Sequence, residues 1–344
     1  MKAAVLTSIK GMEISEIPTP KLMCDTDVLI RITHVGVCGS DVHYYTTGRI
    51  GSQVVKYPFP VGHEAAGVVE QIGKRVTHVK VGDNVAIEPA MPCYQCDQCQ
   101  KGREHTCRKL KFLGCPGQAD GCLSDQIVMP ETSCIKIPDN VTLQEAALSE
   151  PLSIGVYAVK QSIPMKNAKV GILGFGPIGF SVMYPALLQG AESVYVTDKL
   201  DYRLELAKQC GARWTGNTSR TNIVEEITKQ EPLLLDVVFE CCGQQEALDQ
   251  AIDLLKPGGK LMIVGIPETD RISFSIDLLR RKEITIFNVR RQNHCVEEAL
   301  EMISSRKLDV NKMVTHHFPL SKTKDAFDLV MNYDDKVMKA MILL

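Results

Sequence analysis

Four cysteines that lie close together in the sequence could bind one metal ion. They are Cys93, Cys96, Cys99 and Cys107, in the spacing Cys-x2-Cys-x2-Cys-x7-Cys. Four thiolates suit a closed tetrahedral zinc site, which is structural because no position is open for chemistry. The alternative is an iron–sulfur cluster, but the ferredoxin pattern has a final gap of about three residues followed by proline. The spacing therefore favours structural zinc, and we expect His105, inside the same loop, to lie at the surface.

A second set of possible metal ligands is divided among three separate segments. These are residues 38–44 (CGSDVHY), 62–64 (GHE) and 150–151 (EP). Together they supply one thiolate, one imidazole and two carboxylates, a donor set that suits a catalytic zinc site with an open position. The candidate ligands are Cys38, His63, Glu64 and Glu150. Asp41 could accept a hydrogen bond from the His63 ring and fix its tautomer.

A glycine-rich turn predicts a dinucleotide-binding site. Gly174, Gly176 and Gly179 form a GxGxxG motif directly after the apolar run KVGIL, and Pro177 and Ile178 lie within it. The first glycine permits a tight turn, the second lets the backbone approach a pyrophosphate, and the third lets helix pack on strand. The N-terminus of the following helix attracts the negative charge of the pyrophosphate.

The residue at the end of the next strand indicates which dinucleotide is bound. Asp198 is placed to accept hydrogen bonds from ribose hydroxyls, and its charge would repel a 2′-phosphate. This favours NAD over NADP. Lys199 and Arg203 follow closely, so NADP use stays open as an alternative.

The segments around these residues predict an α/β chain with two domains. Residues 1–150 alternate short apolar runs with Gly, Pro and Asp, which is typical of short strands joined by turns. From Lys169 onward, β-branched runs alternate with helical segments, which predicts a parallel sheet covered by helices. We expect the helix after the glycine motif to continue through Pro185 with a kink. Asp201 should cap the next helix, and Gly211 should follow its end.

Composition excludes several classes of partner. The 344 residues include 39 Lys and Arg against 41 Asp and Glu, with no long block of either sign. We therefore predict no nucleic-acid partner and no membrane association, and the sequence has no run of about 18 apolar residues. No secretory signal is recognisable. Clustered cysteines in a chain of this size more often bind metal than form disulfides, so we expect a reduced, cytoplasmic protein.

The motifs, taken in order, resemble those of the zinc-containing medium-chain dehydrogenases. The strings are CGSDVHYYTTGRIG, VGHEAAGVV, the four-cysteine loop, EPLS and GFGPIG, and the resemblance covers essentially the whole chain. Within that superfamily the sequence is most similar to the sorbitol (polyol) dehydrogenases. The resemblance implies a GroES-like catalytic domain, formed by residues 1–150 and 290–344, and a Rossmann NAD-binding domain at 151–289. It also implies a homotetramer or homodimer.

The resemblance also implies roles for individual residues. Cys38, His63 and one carboxylate, Glu64 or Glu150, would bind the catalytic zinc, and the other carboxylate would hold its water. Ser40 and Tyr44 would face a polyol substrate, with Phe112 in an apolar pocket and Arg290 at a substrate hydroxyl. The expected reaction oxidises a secondary hydroxyl and transfers hydride to NAD. The hydroxyl proton would leave through Ser40 and then through His43 or a carboxylate-bound water.

One residue departs from the polyol dehydrogenase pattern. Arg291 follows Arg290, where these enzymes commonly have tyrosine. A second guanidinium could select an acidic or phosphorylated substrate, or it could pair with a neighbouring acid; we favour the second interpretation. The alternative function is that of another zinc-dependent secondary alcohol dehydrogenase, acting on threonine, butanediol or a sugar. Ser40 and Glu150 argue against these.

Overall fold

A computed structural model describes residues 1–267, 269–307 and 309–344 of the chain. These residues form two compact units. The first contains residues 1–150 and 296–344, and the second contains residues 151–295. Among the described residues, none of the helices has the length and apolar character needed to span a bilayer.

The strands and helices have the following bounds. The strands are β1 Lys2–Ser8, β2 Gly11–Glu16, β3 Asp27–Gly36, β4 Arg49–Ile50, β5 Gln53–Val54, β6 Phe59–Pro60, β7 Glu64–Ile72, β8 Asn84–Ile87, β9 Ala90–Met91, β10 Lys111–Phe112, β11 Gln126–Pro130, β12 Cys134–Lys136, β13 Lys169–Leu173, β14 Ser193–Asp198, β15 Trp214–Asn217, β16 Leu235–Glu240, β17 Leu255–Ile263, β18 Thr285–Asn288, β19 Val314–Pro319 and β20 Lys339–Leu343. The helices are α1 Gly39–Thr47, α2 Asp97–Gln100, α3 Leu143–Ala147, α4 Ser149–Lys160, α5 Pro177–Leu188, α6 Asp201–Gln209, α7 Ile223–Gln230, α8 Gln245–Leu254, α9 Ile276–Lys282, α10 Val296–Ser304 and α11 Thr323–Asn332.

The first unit is built around a sheet in the order β12-β8-β7-β3-β20-β19, and β11 also pairs with β3. Along β3, Val28, Ile30 and Ile32 alternate onto one buried face and pack into the apolar core of this unit. Alternation of this kind is what a strand needs to cover a core on one face. The last strand, β20, runs antiparallel to β3, with Met341 opposite Gly36. Residues from the two ends of the chain therefore lie side by side in the first unit.

The second unit contains a parallel sheet in the order β15-β14-β13-β16-β17-β18. The central strands are apolar on both faces; Val170, Ile172, Val237 and Val238 are fully buried. This burial follows from helices that cover both faces of a parallel sheet. The strand order reverses between β13 and β16, which is the crevice where doubly wound sheets bind ligands. Residues 174–179 and Asp198 lie at this edge of the sheet.

Three local features differ from the sequence predictions. Leu200, not Asp201, is the N-cap of α6; Asp201 lies in the first turn, where its charge still favours the helix dipole. The sequence placed the return to the first unit at residue 290, whereas residues 290–295 remain with the second unit. Val289, which follows β18, donates its backbone N–H to Ile263 and so extends the second sheet. Helix α11 has no counterpart among the sequence predictions.

Two other predictions agree with the structure. Helix α5 continues through Pro185. Gly211 follows the last residues of α6 with a φ of 104°, in the left-handed region where glycine ends helices at little cost.

Candidate metal centres and dinucleotide loop

The four cysteines of the 93–107 loop come together in the structure. Their sulfur atoms all lie within 4.8 Å of one another, and Sγ of Cys96 is 3.6 Å from Cys99 and 3.9 Å from Cys107. A tetrahedron with zinc–sulfur bonds of about 2.3 Å requires sulfurs about 3.8 Å apart. The spacing of these thiols therefore fits a zinc ion.

The backbone around the cysteine loop stabilises negative sulfur. Cys107 Sγ accepts hydrogen bonds from the backbone N–H of Cys93 (3.2 Å) and Lys109 (3.3 Å). Hydrogen bonds from the backbone N–H groups of Cys99 and Arg108 lower the pKa of Cys96 to about 6. A thiol that ionises readily is ready to bind a metal. His105 is buried rather than exposed, so the expectation of a surface position was wrong; the short turn at Glu104–Thr106 directs it inward.

The second group of donors forms at the edge where β3, β7 and the start of α1 meet. Cys38 precedes α1, His63 precedes β7, and Glu64 is the first residue of β7. One ligand atom from each of these three residues lies within 4.8 Å of the others, and His63 and Glu64 are buried. Three protein ligands of mixed sulfur, nitrogen and oxygen type fit a zinc site that keeps a position open.

The imidazole of His63 is oriented by its neighbours. Its Nδ1 lies 3.3 Å from Oδ1 of the buried Asp41, which leaves Nε2 for a metal. The ring of Phe112 lies 5.4 Å from the His63 ring, measured between centroids. Burial opposes a positive charge on His63, but Asp41 and Cys38 outweigh burial and raise its pKa well above the usual value. The surroundings of His63 are therefore built to stabilise positive charge, which a metal ion also provides.

Glu150 is buried close to the same group but is not part of it. The described donors that come within 4.8 Å of one another here are Cys38, His63 and Glu64. Burial and the negative charges of Glu64 and Glu88 raise the pKa of Glu150 to about 7, against the opposing effects of His63 and Lys339. In this arrangement Glu64, rather than Glu150, forms the group with Cys38 and His63, and Glu150 lies in the electrostatic field of His63 and Glu64.

Lys339 belongs to this centre and was missed by the sequence analysis. Its Nζ lies 2.5 Å from Oε2 of Glu64, and the two side chains are 1% and 2% exposed. Burial opposes the charge of Lys339, but Glu64 and Cys38 outweigh burial and raise its pKa. In the sequence Lys339 is one lysine in an apolar tail, so only its strand pairing reveals the contact.

Helix α1 presents the predicted substrate-facing residues. Ser40 Oγ lies 3.3 Å from Sγ of Cys38, and Tyr44, one turn later, lies on the same side of the helix. The Tyr44 hydroxyl donates to Oε1 of Gln53 at 3.0 Å, a contact that nothing in the sequence indicated. His43 is half-buried on α1. Ser40 is thus beside the metal donors, and Tyr44 is linked to the β4–β5 hairpin.

The glycine motif of the second unit has the predicted conformation. Gly174 has a φ of 94°, which favours glycine. A Cβ at Gly179 would lie 2.1 Å from the carbonyl oxygen of Gly174, so only glycine allows this helix to approach the strand. Gly176 is the N-cap of α5 and Pro177 is its first residue; Ile178 follows, and Gly176, Pro177 and Ile178 are partly exposed. The exposed N-terminus of α5 can bind a pyrophosphate.

Asp198 is close to this loop. Its Oδ2 accepts the backbone N–H of Phe175 at 2.7 Å, and its Oδ1 accepts that of Leu200 at 2.9 Å. Arg203 Nη1 lies 3.7 Å from the same Oδ2. Asp198 therefore fixes the glycine turn as well as being a candidate ribose ligand.

The two consecutive arginines belong to the second unit. Arg290 is exposed, and Arg291 is half-buried with a φ of 55°. Positive φ is uncommon for a residue with a side chain. Arg290 and Arg291 follow the edge strand β18 of the parallel sheet.

Comparisons with known families identify both halves of the chain. Residues 24–139 match the alcohol dehydrogenase GroES-like domain, and residues 177–305 match the zinc-binding dehydrogenase domain. Sorbitol dehydrogenase of Bacillus subtilis is 36% identical over 343 residues, covering 99% of this chain and 97% of the relative. L-idonate 5-dehydrogenase of Vitis vinifera is 35% identical and covers 95% of this chain and 90% of the relative.

A solved structure agrees with these matches. An oxidoreductase/dehydrogenase of unknown specificity from Escherichia coli superposes with a TM-score of 0.93 at 33% identity, covering 99% of this chain and 98% of that structure. The predicted fold class, a GroES-like β-rich domain with a Rossmann domain, is confirmed.

Proposed function

The chain belongs to the zinc-dependent medium-chain alcohol dehydrogenases, and we propose that it oxidises a secondary hydroxyl of a polyol, such as sorbitol or xylitol, with NAD as hydride acceptor. The observation that carries this proposal is the group of Cys38, His63 and Glu64, whose ligand atoms lie within 4.8 Å of one another. The similarity to sorbitol dehydrogenases supports the polyol as substrate. The products are a ketose, NADH and a proton.

The residues around this centre have separate tasks in the proposed reaction. When bound, zinc supplies Lewis acidity, which lowers the pKa of a nearby hydroxyl. Asp41 keeps His63 in the tautomer that binds metal. Ser40, 3.3 Å from the Cys38 sulfur, receives the proton of the substrate hydroxyl and passes it to His43 one turn later on α1, or to a water held by Glu150. A dinucleotide held by the 174–179 turn and Asp198 would supply the acceptor for the hydride, and thus for the two electrons, that the substrate carbon loses.

Substrate contacts are assigned to individual residues. Tyr44 and Phe112 supply a hydroxyl and an apolar wall, and Arg290 supplies a donor to a substrate hydroxyl. Structural zinc is assigned to Cys93, Cys96, Cys99 and Cys107. We further assign the protein to the cytoplasm and to a homotetramer or homodimer; light scattering coupled to gel filtration would measure the assembly.

Turnover on a panel of substrates tests this function. Purified protein, NAD and each of several polyols and simple secondary alcohols should yield NADH with the polyols. Activity should be lost after treatment with a chelator and restored by zinc. If none of the polyols is oxidised while threonine or a butanediol is, the proposed substrate class is wrong and the dehydrogenase chemistry stands.

The choice of NAD rests on Asp198. Replacing it with alanine removes charge-assisted hydrogen bonds worth about 1.5–3 kcal/mol, so the KM for NAD should rise about 10–100-fold. The KM for NADP should change less, since the charge that repels a 2′-phosphate is also lost. Asp201→Ala is the matched control, because Asp201 is exposed and pairs with Arg220. Equal changes in the KM values for NAD and NADP would contradict the assignment of Asp198 as a ribose ligand.

A second candidate is the oxidation of an acidic sugar derivative. Arg290 and Arg291 supply two adjacent guanidinium groups, and a relative that covers 95% of this chain is an L-idonate 5-dehydrogenase. Two guanidiniums can bind a carboxylate with several hydrogen bonds. Including L-idonate in the substrate panel, with Arg291→Tyr beside the native protein, separates the two candidates: only an acidic substrate should lose affinity in this variant.

A further inference from the structure

The buried ammonium of Lys339 is the one charged group beside Cys38, His63 and Glu64, among the described residues, that the proposed reaction does not use. Its Nζ contacts Glu64 Oε2 at 2.5 Å and the Val37 carbonyl oxygen at 3.3 Å. Val37 directly precedes Cys38, and Glu64 directly follows His63. Lys339 therefore bonds to both chain segments that supply the metal donors.

The backbone leaves space for this contact at one position. Gly36 lies opposite Glu64 in the β3–β7 pairing and opposite Met341 in the β3–β20 pairing. A Cβ at Gly36 would lie 2.1 Å from Oε2 of Glu64. The carboxylate thus passes over a glycine to reach the ammonium, and its position is specified by both the sheet and the lysine.

Charge balance gives the contact a consequence for metal binding. A Cys38 thiolate with the buried carboxylates of Asp41, beside His63, and of Glu64 has three negative charges, whereas a zinc ion supplies two positive ones. Buried charge is costly unless it is paired, and the ammonium of Lys339 neutralises the third. The same ammonium competes with the metal for the electrons of Glu64 and repels a divalent cation through like charge.

We propose that Lys339 is a positioning residue that holds Glu64 by Oε2 and thereby limits how tightly Glu64 binds the metal at Cys38 and His63. The proposal rests on the proposed zinc site. In the native protein Glu64 therefore binds the metal weakly. A coordination position is then more easily taken by substrate than it would be if Glu64 bound at full strength. Without the ammonium, Glu64 becomes a full-strength ligand and the metal is held more tightly.

The test is the zinc release rate of Lys339→Met, followed with a chromogenic chelator. Methionine retains most of the side-chain volume and removes the charge. Native protein should release zinc in two phases, of which Cys38→Ala lacks one, and this assigns the phase that belongs to the centre. In Lys339→Met that phase should slow by about tenfold or more, the size typical of changes next to metal ligands.

The difference in Tm between zinc-loaded and zinc-free protein is a second readout. An ordinary structural role for Lys339 would lower both Tm values together and leave their difference unchanged. A role through Glu64 lowers the zinc-free Tm more, because unpaired carboxylates then repel one another, so the difference widens. Lys339→Arg keeps the charge and should retain the native release rate.

Three further variants complete the design. Lys169→Met is the matched control: Lys169 Nζ lies 2.5 Å from Glu231 Oε1 in the second unit, and its loss should leave the release phase unchanged. In a Glu64→Gln background, Lys339→Met should have no further effect on release, since the carboxylate through which it acts is absent. Should Lys339→Met fail to fold, Lys339→Gln removes the charge while keeping a hydrogen-bond donor, and it should slow the same phase.

Two results would overturn the proposal. One is zinc release from Lys339→Met and Lys339→Gln that is as fast as native or faster, with an unchanged Tm difference. The other is an equal effect of Lys339→Met in the Glu64→Gln background. Absence of the Cys38-dependent phase from the native protein would instead contradict the zinc site itself.

Discussion

The two groups of metal donors in the first unit differ in how far apart their members lie along the chain. The four thiols all come from residues 93–107. The Cys38–His63–Glu64 group takes its donors from segments next to β3 and β7, and its lysine from β20. A local group can be recognised by spacing, because few backbone angles separate its members. A dispersed group depends on the pairing of three strands, so its full membership becomes clear only in the fold.

The surroundings of the two groups also differ. In the cysteine loop the Cys107 sulfur accepts hydrogen bonds from backbone N–H groups, those of Cys93 and Lys109. The second group is buried among charged side chains that include Asp41, Glu150 and Lys339. Backbone N–H groups can stabilise the thiolates of a fully coordinated metal ion. Charged side chains can in addition adjust how strongly a ligand binds the metal and how readily it takes up a proton. The difference separates a centre suited to structure from one suited to catalysis.

The largest effect is expected from removing a donor of the second group. Cys38→Ala or His63→Ala should lower kcat by about 10³-fold, because Lewis acidity worth several kcal/mol is lost. Zinc content should fall from about two ions to about one per chain, while NADH binding, followed by its fluorescence, should remain. Normal turnover in either variant would contradict the assignment of this centre as catalytic.

Removing a donor of the first group should affect stability before chemistry. Cys107→Ser should release the other zinc ion and lower the Tm by about 5 °C or more, because metal binding is coupled to folding of the loop. The kcat per remaining folded molecule should stay close to native. Calorimetry and turnover on the same sample measure both quantities. A large loss of kcat at unchanged Tm would contradict the structural role of the cysteine loop and indicate a catalytic one.

Carboxylates next to the two groups of donors should show the same contrast: removing one should weaken metal binding strongly at the second group and little at the cysteine loop. Asp41→Asn should weaken metal binding at His63 about 10–100-fold, the size reported for carboxylates that orient ligating histidines. Asp97→Asn is its counterpart in the cysteine loop, where Asp97 pairs with the exposed Arg108. Exposed pairs contribute little, so zinc release from this loop should change less than twofold. Competition with a chelator of known affinity measures both variants.

The smallest effect is expected at the ion pair of Glu145 and Arg306, which contacts neither group of metal donors. Burial opposes the charge of Glu145, but hydrogen bonds from the Thr142 backbone and Arg306 outweigh it and lower its pKa below the ordinary 4.5. The unfolded chain therefore takes up this proton first as the pH falls, and stability that is present above pH 4.5 is lost below it. Glu145→Gln should lower the free energy of unfolding by about 1 kcal/mol at neutral pH and reduce this acid dependence. Urea unfolding at several pH values measures both effects.

The sequence predicted the features that depend on local spacing. The glycine motif, the alternation of strands with helices and the cysteine loop each specify a local geometry, and the structure has each of them. Asp41 beside His63 was also expected, since the geometry of a ligating histidine requires a partner for its second nitrogen.

The features that escaped prediction depend on distant contacts or on small local energies. The contacts of Lys339 with Glu64 and of Gln53 with Tyr44 could not be predicted, because they depend on strand β20 and on the β4–β5 hairpin. His105 was expected at the surface because it was not needed as a ligand, yet the turn that contains it points inward. Leu200 instead of Asp201 caps α6, a shift of one residue that propensity does not resolve.

The pairing of β20 with β3 has a consequence for the order of events during synthesis. Lys339 contacts the carbonyl of Val37 across a separation of 302 positions. At about 5–20 residues per second, a ribosome adds Lys339 roughly 15–60 s after Val37, whose carbonyl the lysine contacts. A nascent chain can form its cysteine loop and its parallel sheet during that interval, whereas its second metal centre lacks its balancing charge until the last strand has been made.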